Sequence, residues 1–348
     1  MKAKSFLTLL SFCLLFLLPL SLCAQEPVCG KCLKKKSNCP YRCNHPTCKT
    51  CGRVCGAKNN PCPYGGNHPT CNACGKLKEN CAYKGKHSTC STCGRVCGAK
   101  NTPCPYGGKH PKVVFDGRDK TYTANGVSFT MKPVAGGTFT MGATSEQQYP
   151  TSYEKPTHTV TLSDYYIGET EVTQELWAAV MGDNPSEFKG NRQRPVENVS
   201  WKNCQNFILK LNELTGANFR LPTEAEWEFA ARGGRNSRGY NYSGSSNIGD
   251  VAWYGGNSSH TTHPVKTKSP NELGIYDMSG NVWEWCQDWF GNYNSSSQTN
   301  PTGPGTGPFR VYRGGGWNIS AGSCRSASRH NDYTPGGRYD CLGLRLAL

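Results

Sequence analysis

A stretch from Asn271 to Phe290 constrains the fold of this chain more than any other. It reads NELGIYDMSGNVWEWCQDWF, in which glycines, acids and three tryptophans alternate too tightly for an ordinary helix or strand. Asp277 and Glu284 supply two carboxylates, and the small residues between them could turn backbone carbonyls inward to complete an oxygen cage for calcium. This pattern predicts a core loop held by a metal ion. The alternative is a tight turn whose tryptophans simply fill core volume.

The amino terminus indicates export. Residues 1–24 begin with a lysine-containing segment, continue through an apolar run and end in Leu-Cys-Ala before Gln25, which is the layout of a secretory signal peptide. We therefore expect a mature chain that begins near Gln25 and resides in the periplasm, at the cell surface or outside the cell. A lipid anchor on Cys23 is the alternative. No later segment approaches the roughly 20 consecutive apolar residues of a membrane helix, so we expect no membrane span.

Most of the charge and most of the cysteines lie in one amino-terminal module. Of the net charge of +15, residues 25–112 contribute +14, from 16 Lys and Arg against Glu26 and Glu79. Between Cys29 and Cys104 lie 15 of the 21 cysteines. The whole chain is only 36% hydrophobic and has 40 glycines and 22 prolines, which favours loop-rich folds over helical ones. These contrasts predict two regions of different character.

The module, residues 25–111, contains four copies of one unit, at residues 29–47, 48–70, 71–89 and 90–111. Each unit has the pattern Cys-x2-Cys, a spacer, then Cys-x-Tyr-x3-His, and we assign it to no known family. Three thiolates and one imidazole make a closed tetrahedral zinc site, and disulfides would not require the histidine. We therefore predict small zinc-ribbon-like Cys3His repeats with these ligands: Cys29, Cys32, Cys39, His45, Cys48, Cys51, Cys62, His68, Cys71, Cys74, Cys81, His87, Cys90, Cys93, Cys104 and His110. A disulfide network is the alternative, since exported cysteine-rich modules usually form one and Cys43, Cys55 and Cys97 lie outside the pattern.

The basic surface expected of this module suggests an acidic partner, such as a polyanionic glycan or envelope phosphate. Nucleic acid is disfavoured as a partner, because no aromatic residues interleave the lysines to stack on bases. The alternative is a solvated, lysine-rich surface without a partner.

From residue 112 onwards the composition is that of a larger mixed domain. We predict a linker or a first strand over residues 112–125 and a domain over residues 126–348. Turn signals and alternating residues predict strands, whereas capping residues and glycine stops predict helices. The predicted strands cover residues 127–132, 138–141 and 158–162, and the predicted helices cover residues 173–182, 200–216 and 223–232.

Ordered motifs in this domain resemble a known family. They are GTFTMG at residues 137–142, LPTEAEWEFAARGG at 221–234, GNVWEW at 280–285, RGGGW at 313–317 and LGLR at 342–345. Residues 124–348 therefore resemble the formylglycine-generating (sulfatase-modifying factor) family. The resemblance implies an α+β fold with little regular secondary structure, related to C-type lectin-like domains.

The resemblance also implies bound calcium. One site would use the side chains of Asp277 and Glu284 together with the backbone of Gly280 and Val282. A second site, more loosely matched because an asparagine replaces the expected acid, would fall near Asn247, Ile248, Asn257 and Ser259.

The catalytic pattern of the family is incomplete in this chain. Members that oxidise a substrate cysteine use two cysteines five residues apart, shortly after the glycine-rich motif, to bind copper and the substrate thiol. The corresponding segment here contains Cys324 alone, and Cys341 matches neither position. One sulfur cannot build such a copper site without help, so we expect no copper. We interpret Cys324 as a disulfide partner of Cys286 or as a buried thiol, with a catalytic role as the alternative.

The carboxyl terminus alternates framework-like residues with clusters of small polar and aromatic residues. This arrangement resembles the variable regions of proteins that retroelements diversify by mutating adenines. Tyrosine, serine, glycine and asparagine are also what adaptable binding loops use. An ordinary family terminus is the alternative. The positions that we predict to contact a ligand are Trp317, Asn318, Ser320, Ser323, His330, Asp332, Tyr333, Tyr339 and Asp340.

The sequence therefore favours an exported, calcium-stabilised domain of this fold that binds a protein or glycan ligand through its C-terminal loops. The alternative function is that of a formylglycine-generating oxidoreductase that modifies sulfatases or other proteins.

Overall fold

A computed structural model describes residues 114–348 of the chain. The predicted signal peptide, the candidate anchor at Cys23 and the four Cys3His repeats lie outside these residues. In chain order the strands are β1 (Lys120–Ala124), β2 (Val127–Val134), β3 (Thr138–Met141), β4 (His158–Thr161), β5 (Tyr165–Gly168), β6 (Trp283–Trp289), β7 (Gln298–Thr299), β8 (Arg310–Arg313), β9 (Arg329–His330) and β10 (Leu342–Leu344). The helices are α1 (Gln174–Met181), α2 (Trp201–Thr215), α3 (Glu224–Ala231) and α4 (Ile248–Val251).

The three longer helices begin and end where local signals in the sequence place them. Thr173, Ser200 and Thr223 each accept a hydrogen bond from the backbone of the first helical turn. Left-handed glycines at 182 and 216 end α1 and α2. The predicted helices are therefore confirmed, whereas the single turn of α4 was not predicted.

The strands form three small sheets, with the orders β1-β2-β5, β3-β4-β7 and β10-β6-β8-β9. The three predicted strands are present, and Lys120–Ala124 pairs antiparallel with Val127–Met131. Of the two structures predicted for residues 112–125, a linker or a first strand, the strand is therefore confirmed for Lys120–Ala124. The mixture of short strands, short helices and long loops confirms the α+β class.

The prediction that Asn271 to Phe290 is a loop throughout is wrong for its second half. Residues 283–289 form β6, which pairs parallel with β10 and antiparallel with β8 in the middle of the largest sheet. Trp283 and Trp285 are buried because other elements cover the strand. Consecutive buried residues hide the alternation that identifies a strand with one solvated face. The first half is a loop, in which Gly280 has a φ of +80° and a Cβ would lie 2.3 Å from the Trp253 carbonyl oxygen.

The core has two parts. In one, α1 and α2 pack on β1, β2 and β10, and the rings of Trp177 and Phe207 stack at 4.9 Å. In the other, α3 packs on β3, β4 and β8 around Trp227 and Phe229. Between residues 114 and 348, none of the helices is both long and apolar enough to cross a bilayer.

Candidate functional site

The C-terminal loops lie over an aromatic cluster at one end of the β10-β6-β8-β9 sheet. Tyr312 of β8 stacks on Tyr333 at 4.9 Å between ring centroids, and Tyr333 stacks on Tyr339 at 3.6 Å. The Tyr312 hydroxyl also donates a hydrogen bond to Asp332. His330 contacts the ring of Trp283 at 4.7 Å. Stacked rings of this kind hold a loop in place at little entropic cost, because each ring has only two side-chain torsions.

Trp317 connects the C-terminal loops to the loop that contains Ser258. Its indole Nε1 donates to the Asp340 carbonyl at 3.0 Å, and its own carbonyl accepts from Ser258 Oγ at 2.7 Å. Its ring meets Phe188 edge-on at 5.0 Å. Four of the nine predicted ligand-contacting positions, His330, Asp332, Tyr333 and Tyr339, thus form or contact one aromatic cluster. Ser320 precedes the 3-10 helix at 321–324, and Ser323 lies within it.

Exposure separates the predicted contact positions from the framework between them. All nine positions are exposed or half-buried, and Asn318, Ser320 and Asp332 are the most open. By contrast, residues 324–329 and 341–347 are all buried. The structure therefore has a rigid frame beneath a polar and aromatic surface, which we call the C-terminal face and define by the nine predicted positions.

Buried ion pairs hold the frame. Arg325 makes two bonds of 2.7 Å to Glu154, and Arg329 holds Glu224 through bonds of 2.7 and 2.6 Å. Burial alone would raise the pKa of Glu154, but the Arg325 guanidinium outweighs it and lowers the pKa below its usual value. Removing one partner of such a pair would leave an unpaired charge in the core, which typically lowers the free energy of unfolding by about 3–5 kcal/mol.

His330 enters the C-terminal face as a neutral ring. Burial, together with the charges of Arg313 and Arg325, lowers the pKa of His330 to about 4. Near neutral pH the imidazole is therefore uncharged, and it can stack on Trp283 while it keeps one ring nitrogen as a hydrogen-bond acceptor.

The residues of the predicted calcium site lie together in the core. Asp277, with a φ of +58°, accepts the Lys266 amide at 2.9 Å. Glu284 accepts from Arg345 at 2.6 and 3.0 Å and from Trp227 Nε1 at 2.6 Å. Both Glu284 oxygens thus already have hydrogen-bond partners, which a metal would have to share.

A third carboxylate adds to this site. Glu171 accepts the Val282 amide at 3.0 Å and the Asn281 side chain at 2.7 Å. Burial, with the neighbouring Asp277 and Glu284 charges, raises the pKa of Glu171 well above its usual value, and burial raises that of Asp277 to about 6. These three buried acids face the buried guanidinium of Arg345, and the charge of Lys266, which pairs with Glu169, also acts on Asp277. Glu171 was not predicted, because it lies far from the glycine-rich loop along the chain.

The donor set is compatible with calcium but is not a complete side-chain cage. Across residues 114–348, no three His, Cys, Asp or Glu side chains are arranged to hold a metal ion by themselves. Calcium accepts backbone carbonyls as well as carboxylates, and the Gly280 and Val282 backbone was predicted to supply them. The excess of buried negative charge is the structural feature that a cation would relieve. Calcium at this site stays a prediction.

The second, looser calcium site consists of residues that have local structural roles. Asn247 caps α4 by accepting from Gly249 at 3.2 Å, and its side-chain amide donates to Asp250 at 2.9 Å. The Asn257 amide group likewise closes a turn, through Tyr254 and Ala252. Ile248 begins α4, and Ser259 is exposed with a φ of +55°.

The cysteines of the described domain are all buried free thiols: Cys204, Cys286, Cys324 and Cys341. The predicted disulfide between Cys286 and Cys324 is therefore wrong, and the buried-thiol alternative holds. Cys324 packs so closely on Gly315 that a Cβ there would lie 2.4 Å from Sγ. Burial raises the pKa of Cys324 to about 12, so its thiolate is strongly disfavoured. The residues present do not fit a thiolate-bound copper.

Residues from other parts of the chain that were not predicted support the C-terminal face. Tyr312 is at the centre of the aromatic stack, and Phe188 supports Trp317 from the loop after α1. Both contacts join positions that are distant in sequence. Val311, Tyr312 and Arg313 are all buried, so β8 has no alternation that could have indicated the position of the Tyr312 ring.

The fold and the ordered motifs place the chain in a protein family. A sequence profile described as the sulfatase-modifying factor enzyme 1-like domain matches residues 128–348, and the chain belongs to that family. The solved structure of Treponema denticola variable protein 1 is 40% identical with a TM-score of 0.60, over 66% of this chain and 98% of that one. The chaperone protein LppX of Paenibacillus barcinonensis is 38% identical over 54% of this chain and 81% of that protein. The formylglycine-generating enzyme of Streptomyces coelicolor is 32% identical over 61% of this chain and 87% of that enzyme.

Proposed function

We propose that this chain is an exported ligand-binding protein whose family domain displays the C-terminal face to a protein or glycan. The observation that carries the proposal is the division of the carboxyl terminus into a buried frame and nine positions that are exposed or half-buried. A surface that tolerates change without loss of stability requires such a frame. Aromatic rings beside small polar side chains also supply contact area and hydrogen bonds at low entropic cost.

The similarity to a protein named as variable supports the same function. Treponema denticola variable protein 1 is covered over 98% of its length by this chain. Diversification of the C-terminal face by a retroelement belongs to the same proposal, because the frame residues are buried and the clustered positions are not.

The second candidate function is oxidation of a substrate cysteine, which the similarity to a formylglycine-generating enzyme favours. Loss of the catalytic cysteine pair argues against it. The thiol nearest the expected position, Cys324, is buried, and burial raises its pKa to about 12. A nucleophilic or metal-binding thiol instead needs access and a lowered pKa.

Calcium has a structural role in this proposal. Asp277 and Glu284, with the backbone of Gly280 and Val282, would hold the ion, and its positive charge would favour the ionised form of the nearby Glu171. The loop that they form packs directly against the frame, since Ser279 Oγ donates to the Cys324 carbonyl at 2.8 Å. A bound ion would therefore stiffen the support of the C-terminal face.

The test compares two triple variants on arrays of glycans and purified extracellular proteins. In the first variant Asn318, Ser320 and Asp332 become alanine, which alters the most exposed part of the C-terminal face. In the matched control Ser295, Ser296 and Ser297, exposed residues of another loop, become alanine. We expect saturable binding of at least one probe by the natural chain, at least about tenfold weaker binding by the first variant, and unchanged binding by the control. Equal binding by all three proteins would contradict the proposal.

A further inference from the structure

A cavity of about 400 Å³ lies between the start of α3, the start of β4 and the long loop that follows β6. A volume of this size is within the range of small-molecule sites. Its floor is formed by the buried side chains of Glu224, Asp288 and Arg329, and its rim is formed by Asn292, Asn294, Gln298 and residues 301–304. Nothing in the function proposed above uses it.

The charges in the floor are already matched. Arg329 binds Glu224 in a two-pronged pair, and Arg313 Nε lies 3.7 Å from the same carboxylate. The Tyr293 hydroxyl donates to Glu224 Oε1 at 3.2 Å. Although burial would raise the pKa of Glu224, Arg329 and Arg313 lower it overall. The carboxylate is therefore ionised and fully paired, and it offers little attraction to an incoming cation.

Asp288, unlike Glu224 and Arg329 in the same floor, forms no ion pair with another residue between 114 and 348. It is only 4% exposed and accepts the Glu224 amide at 3.0 Å. Burial, with the nearby Glu224 charge, raises the pKa of Asp288 to about 8. At neutral pH it is therefore mostly a neutral carboxylic acid, which can both donate and accept a hydrogen bond.

The remaining lining contains no Asp, Glu, Lys or Arg side chain. The His158 ring packs edge-on against Tyr293 at 4.8 Å. Asn292, Gln298 and Thr302 bring amide and hydroxyl groups to the rim, and Trp289 contributes apolar wall. The cavity therefore offers several groups that donate and accept, beside apolar patches, and no unpaired charge.

We propose that this cavity binds a small, uncharged, polyhydroxylated ligand of the sugar or polyol class. Each hydroxyl of such a ligand donates one hydrogen bond and accepts others, which matches a lining of amides, hydroxyls and a neutral carboxyl. Its C–H faces suit the apolar wall. An ammonium or a phosphate would lose its hydration without gaining a free countercharge.

This cavity is distinct from the C-terminal face. Trp283 supports the aromatic cluster, whereas Asp288 lies five residues further along β6, about 17 Å away at the rise of a strand. The nine positions of the C-terminal face are absent from the lining of the cavity. A ligand here would therefore contact different residues from a ligand of the C-terminal face.

The experiment is saturation-transfer NMR on the full chain with glucose, galactose, N-acetylglucosamine, myo-inositol and glycerol, and with putrescine and inorganic phosphate for comparison. Thr302→Phe places a ring at the exposed rim to block the cavity, and Thr306→Phe makes the same change on the same loop outside the lining. We expect saturable transfer to at least one hydroxylated probe, at least about tenfold weaker binding with Thr302→Phe, and no change with Thr306→Phe.

Three results would overturn the proposal. The first is no transfer to any hydroxylated probe, and the second is transfer that Thr302→Phe leaves unchanged. The third is binding of putrescine or phosphate that Thr302→Phe weakens more than it weakens binding of the hydroxylated probes. Circular dichroism in the near ultraviolet would verify that both variants keep the fold.

Discussion

Glu197 illustrates at the scale of one residue how burial and charge compete in this domain. It is fully buried in front of α2, where Oε1 accepts the Phe188 amide at 2.9 Å. Among residues 114–348 no group is in hydrogen-bonding position to Oε2. Burial, with repulsion from Asp340 and Glu187, raises the pKa of Glu197 to about 7 despite the hydrogen bond from Phe188.

Replacing Glu197 by glutamine should change how stability depends on pH. Because the folded pKa lies above the unfolded value of about 4.3, the natural protein loses stability as pH rises from about 4 to about 7. The variant keeps the acceptor for Phe188 and has no charge to bury. Urea unfolding should show Glu197→Gln more stable than the natural protein by about 1–3 kcal/mol near pH 8, with a smaller difference near pH 5.

The control for this prediction is Glu213→Gln, the same change at an exposed position of α2. It should shift stability by less than about 0.5 kcal/mol at either pH. A Glu197→Gln variant that is less stable than the natural protein near pH 8 would show that the buried carboxylate is stabilising.

At the scale of elements, the helices were predictable and β6 was not. The ends of α1, α2 and α3 depend on hydrogen bonds within three or four residues, so the sequence contains the whole signal. Residues 283–289 are a strand because β8 and β10 pair with them on both sides. Pairing between distant segments, with both faces covered, leaves no alternation to read.

Calcium should stabilise the loop that leads into β6. Adding the ion to protein stripped with a chelator should raise the free energy of unfolding by about 2.7 kcal/mol at a concentration 100 times the dissociation constant. Asp277→Asn removes one carboxylate from the site and should abolish most of the gain. Thermal unfolding with and without calcium measures both effects.

Asp119→Asn is the matched control, because Asp119 is an exposed carboxylate in the segment before β1. It should retain the full response to calcium. An equal response of the Asp277→Asn variant would place the ion elsewhere, and no response of the natural protein would contradict calcium binding.

At the scale of the whole molecule, the sequence indicated which surface is open but not what supports it. The nine positions of the C-terminal face were chosen from their residue types, and each is exposed or half-buried. Their support by Tyr312 and Phe188, and the presence of Glu171 beside Asp277, depend on contacts between distant segments. The family motifs identified the frame, whereas they could not show that Cys286 and Cys324 remain unpaired.

The function that we propose for this family fold is binding and not cysteine oxidation. The purified chain is incubated with copper, oxygen and a sulfatase peptide that contains the target cysteine. The mass of the recovered peptide is then measured by mass spectrometry. We predict that the peptide is recovered with its cysteine unchanged, by the natural chain and by Cys324→Ala alike. Conversion to formylglycine that Cys324→Ala abolishes would contradict the binding function, and conversion that survives Cys324→Ala would show that the missing cysteine pair does not preclude catalysis.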